Sequence, residues 1–76
     1  MTIYILLYHH NDINNDYASI EAVSTNCDEI KNKFNEMKKG LLNEDLIIAE
    51  SNKNYILFSD HNKEKLFELI IECYTL

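Results

Sequence analysis

The chain has 76 residues, 46% of them hydrophobic, which is enough for one small domain spanning residues 1–76, although a domain of this size buries only roughly 60% of its unfolded surface. Thirteen acidic residues stand against seven basic ones, all Lys, for a formal charge of −6. Such a surface repels phosphate backbones, and without Arg the usual bidentate reader of phosphate and guanine is missing. Direct nucleic-acid binding is therefore not expected, and a protein partner with a basic surface is favoured.

The first predicted element is a strand from Thr2 to Tyr8, in which Ile3, Tyr4, Ile5, Leu6, Leu7 and Tyr8 follow one another without a polar break. A strand that is apolar on both faces belongs in the middle of a sheet with cover on both sides. The run is too short for a membrane span or a signal segment, so a cytoplasmic protein with no membrane role is expected. His9 to Asp16 reads as a turn-rich loop, and Tyr17 to Ser24 as a second strand that returns antiparallel to the first.

A helix follows, capped by Thr25 or Asn26, each with an acid three residues on. Cys27, Ile30, Phe34, Met37 and Leu41 recur at spacings of three and four, which gives one apolar stripe. Asp28 and Glu29 open the helix, Lys38 and Lys39 close it, and Gly40 is the expected left-handed C-cap. Cys27 and Cys73 both fall on apolar helical stripes and are expected to be reduced, buried thiols rather than a disulfide.

Leu46 to Ala49 and Tyr55 to Phe58 form a third and a fourth strand joined by a polar turn. From Ser59 or Asp60 to about Cys73 two patterns compete. Phe67, Leu69, Ile71 and Cys73 alternate with Glu68, Ile70 and Glu72 as in a strand, but Lys63, Glu64, Lys65 and Leu66 are good helix formers behind a cap. The helix is preferred on length. The resulting fold class is α+β: a four-stranded, mostly antiparallel sheet in ββαββα order with both helices packed on one face. The other face then carries either Tyr4, Leu6 and Tyr8 or Ile3, Ile5 and Leu7 from the first strand. Self-association to a homodimer is expected there, assigned to Tyr4, Leu6 and Tyr8.

Motifs for chemistry are sparse. Asp12-Ile13-Asn14-Asn15-Asp16 opens like a calcium loop but has Tyr17 and Val23 where Gly and Glu are required. Nothing marks a nucleophile, a phosphate loop or a zinc motif, so no catalytic residue, metal or cofactor is assigned and an enzyme is not expected. Glu64, Glu68 and Glu72, four apart on a helix, would form a row with steps of about 6 Å, resembling the spacing of phosphates and suited to a basic groove. Tyr17 and Tyr55 are the matching aromatic anchors. Two alternatives stand beside this binding function: a small-ligand or metal site built from the His9/His10 loop and His61, and a structural subunit of a larger assembly.

Ten Asn, ten Ile and no Arg point to AT-rich coding. In size, acidity and this bias the chain resembles the small inhibitors that phages and other mobile elements direct against host defence systems, anti-CRISPR proteins among them. The resemblance implies a protein that occupies a basic, nucleic-acid-binding surface of a host protein, and it lends no site residues.

Overall fold

The computed structural model describes all residues, 1–76. It contains strands β1 (Thr2–Asn11) and β2 (Asp16–Ser24), helix α1 (Cys27–Leu42), and strands β3 (Ile47–Asn52), β4 (Tyr55–Ser59) and β5 (Leu66–Thr75). The order is ββαβββ. All strand pairs are antiparallel in one five-stranded sheet, β2-β1-β5-β4-β3.

The expected second helix is therefore corrected to a strand, and the four-stranded sheet to five. The alternation of Phe67, Leu69 and Ile71 with Glu68 and Ile70 prevails over the helix formers before it. β5 gains a continuous partner on each side, β1 along ten residues and β4 along five. The cap signal at Asp60 is real but closes a turn. Its Oδ1 accepts from the amides of Glu64 and Lys65 at 2.8 and 3.1 Å, and Lys63 takes φ of 59° in the left-handed region, which stops a helix from starting there.

Strand β1 holds an interior position, as its apolar run requires, and extends through His9 and His10 to Asn11. Asp12 and Asn15 close the hairpin: the Asp12 Oδ1 accepts from the amides of Asn14 and Asn15 at 2.7 and 2.8 Å, and the Asp12 amide donates to the Asn15 carbonyl at 2.8 Å. Both edge strands are bulged, with Glu21 the extra residue in β2 and Ala49 the extra residue in β3. A bulge twists a free edge and makes it a poorer template for another chain.

The core lies between α1 and one face of the sheet. Ile30 and Phe34 from the predicted helical stripe meet Leu6, Ile56, Phe58, Phe67 and Leu69, with Tyr4, Tyr8, Met37 and Ile71 at the margin. Asn26 is the N-cap, accepting from the amides of Asp28 at 2.9 Å and Glu29 at 3.4 Å. Asn26→Ala is expected to lower stability by about 1 kcal/mol, read as a shift of the urea midpoint with an unchanged slope. Gly40 is not the C-cap. The helix runs past it to Leu42 and ends at Asn43 in a right-handed conformation, so the stop signal is not glycine.

One helix cannot cover both faces. The molecule measures 42 × 22 × 17 Å with a radius of gyration of 12.9 Å, against about 11 Å for a compact chain of this length. It is a two-layer plate whose second sheet face has no cover.

Candidate protein-docking face

Strand alternation decides which side chains reach the uncovered face. In β1 the set beneath the helix is Tyr4, Leu6 and Tyr8, with Leu6 fully buried. The expected self-association set is thus corrected: Leu6 is inaccessible, Tyr4 and Tyr8 pack at the core margin, and Ile3, Ile5 and Leu7 face outward. Register places Ile70, Glu68 and Glu72 of β5 beside them, followed by Tyr55 and Leu57 of β4. β2 contributes Ile20 and Val23, which are 64% and 58% exposed, while Tyr74 of β5 is 49% exposed. A contiguous aliphatic surface of this kind on one side of a sheet commonly marks an interface.

Its charges are of one sign apart from His9. All seven lysines lie in α1 or in turns, and no strand carries one. Asp16, Glu50, Glu68 and Glu72 all belong to strands, so the plate is acidic on its open side.

A hydrogen-bonded chain crosses four strands on that face. His9 on β1 places Nε2 2.6 Å from Asp16 Oδ1 on β2 and Nδ1 2.6 Å from Glu68 Oε1 on β5. The hydroxyl of Tyr55 on β4 donates to Glu68 Oε2 at 2.5 Å. Hydrogen bonds to Glu68 and then Asp16 raise the His9 imidazole above its ordinary value. Glu68 is held below the usual carboxylate range by the Tyr55 hydroxyl first and by His9 second. The Tyr55 phenol, bonded to the Glu68 carboxylate, is pushed up to about 12.

The row of carboxylates expected at helical spacing does not form. Glu64 sits in the turn before β5, and Glu68 and Glu72, four residues apart on a strand, are separated by about 13 Å. Tyr55 is on the face, where its hydroxyl is used by Glu68. Tyr17 is on the helix side at the end of the sheet, stacked on His10 with ring centroids 5.1 Å apart. Tyr74 was not singled out from sequence, yet it is on the face and donates to Glu72.

The three histidines are not brought together. His9 is in the chain above, His10 on the helix side is bonded to Asp12 at 2.7 Å, and His61 reaches Asp45 at 3.3 Å in an exposed corner. The Asp12 carboxyl, bonded first by His10 and then by backbone amides, is held below its usual range. The thiols also depart from expectation. Cys27 is half-buried and Cys73 exposed, both are free, and they line a cavity of about 220 Å³ with Tyr4, Lys31 and Lys53. Cys73 is exposed because it lies near the end of a strand and not on a helical stripe.

No helix is long and apolar enough to cross a membrane. Among known proteins no family model, no curated protein and no solved structure matches this chain.

Proposed function

We propose that the chain is a small non-enzymatic binding protein that docks its uncovered sheet face on a protein partner presenting Lys or Arg side chains among aliphatic ones. The observation that carries this is the segregation of charge: Ile3, Ile5, Leu7 and Ile70 lie among Glu68, Glu72 and Asp16 on strands that contain no lysine. The apolar side chains supply the area and the carboxylates select the partner and speed encounter. A basic surface with aliphatic side chains is often one that binds nucleic acid, and occupying it would inhibit that partner, which is how an inhibitor of a host defence protein would act.

The homodimer expected from the two-sided strand would use this same face. It would bring Glu68 and Glu72 of one copy toward those of the other, with no strand lysine to pair them, so the charges favour a cationic partner over a second copy.

Immobilised chain should retain such a partner at low salt and release it as the Debye length falls from about 10 Å at 0.1 M to about 3 Å at 1 M. Glu72→Lys, which leaves the His9 chain intact, should abolish retention while the circular dichroism stays unchanged. Retention indifferent both to salt and to Glu72→Lys would overturn the proposal.

A further inference from the structure

His9 is the only group on the strands of the open face that carries positive charge, and it is held by two of that face's own carboxylates. Both ring nitrogens lie 2.6 Å from carboxylate oxygens. A carboxylate only accepts, so each nitrogen has to donate, and only the imidazolium form has two N–H groups. A neutral ring donates to one partner and turns a lone pair toward the other. With both carboxylates ionised, two such bonds at once therefore require the protonated ring.

The groups facing His9 are few. Asp16 comes from β2 and Glu68 from β5, and Tyr55 of β4 acts through Glu68. Its same-face neighbours on β1, Leu7 and Asn11, carry no charge. α1 packs on the opposite side and contributes none.

We propose that His9 is a proton-operated switch on the docking face: protonated, it clamps β2 to β5 and cancels one negative charge, and deprotonated, it frees a carboxylate for a partner's cation. What the switch regulates rests on the docking proposed above, whereas the clamp is a property of the free chain. Since His9 is raised, its contribution to stability is fully present below its ordinary 6.5 and is lost as pH rises through the raised value. Glu68 is lowered, so its contribution is fully present above its ordinary 4.5 and is lost as pH falls through the lowered value. Both are complete between 4.5 and 6.5. A partner's cation and the His9 proton compete for the same carboxylates, and each must weaken the other's binding.

The clamp is tested by ¹⁵N NMR of the imidazoles in the isolated protein. At about pH 6 both His9 nitrogens should resonate as N–H, with a midpoint above 6.5 that falls in Glu68→Gln and in Asp16→Asn. A single neutral tautomer at that pH, or a midpoint unmoved by both variants, would overturn it. Regulation is tested with a synthetic peptide of alternating Lys and Leu, by calorimetry at about pH 5.5 and again well above the His9 midpoint found by the NMR titration. Removing one unit charge about 7 Å away in water should tighten binding roughly threefold at the higher pH, and His9→Gln should remove the difference. Equal affinity at both pH values in the wild type would overturn regulation. If His9 titrates as stated and the peptide binds at neither pH, the clamp stands and the docking of cationic and aliphatic side chains on this face is overturned.

Discussion

Phe58→Ala is expected to destabilise the protein by about 3–5 kcal/mol, the range for removing a buried aromatic side chain. The whole domain has about 4–11 kcal/mol to lose, taking 0.05–0.15 kcal/mol per residue. At the low end of that range the loss equals the whole stability and the variant is largely unfolded, and at the high end it stays folded with a lowered urea midpoint. The cost falls in the upper part of the range because Phe58 is fully buried among only seven core side chains. Its strand is also fixed by ladders to β3 and β5, so the neighbours cannot collapse into the space. Urea unfolding at 25 °C measures it. A loss below about 1 kcal/mol would mean that the helix-covered face does not carry the fold.

The second large effect separates two adjacent leucines. Leu6 is fully buried under α1, while Leu7 lies half-buried on the open face. Leu6→Asp places a carboxylate in the core with no donor to meet it, a cost of several kcal/mol or proton uptake, and the chain should fail to fold. Leu7→Asp puts the same group where water reaches it. That variant should keep its circular dichroism and lose partner retention, because the centre of the aliphatic surface has become charged. Unfolding of both variants in the isolated chain would show that the open face is itself an obligate core, covered by a second copy. Retention preserved in Leu7→Asp would remove the face from the docking site.

The features legible in the sequence are those written in local pattern. The interior position of β1, the β1–β2 and β3–β4 hairpins and the stripe of α1 follow from alternation, turn residues and spacing by three and four. A cap at Thr25 or Asn26 is legible because a cap needs only its own next three residues, and the structure puts it at Asn26. β5 is illegible for the complementary reason. Lys63, Glu64 and Lys65 are good helix formers behind Asp60, and what overrules them is pairing with β1, in which Leu6 meets Ile71 and Tyr8 meets Leu69. No local window contains that information.

The candidate site suffered in proportion. Helical spacing would have put Glu64, Glu68 and Glu72 in one close row, whereas a strand keeps Glu68 and Glu72 on one face and spreads them. Alternation defined the two sets of β1 side chains but could not say which one α1 would cover. The bond between His9 and Glu68 spans 59 residues and depends on register alone. Its only trace in the sequence is two acids set among the apolar residues of a strand.

The sheet order also shapes how the chain reaches its native state. β2–β1 and β3–β4 are local hairpins, and the strand that joins them, β5, is made after both. Until residues 66–75 are available, the hairpins share no backbone hydrogen bonds, and β1 and β4 each present an unpaired edge. Closing the sheet then brings together residues as far apart as Thr2 and Thr75, a long-range step that slows folding and exposes sticky edges while it is pending. β5 is thus a keystone in time as well as in space: no backbone ladder can join the two halves of the sheet until residues 66–75 are available.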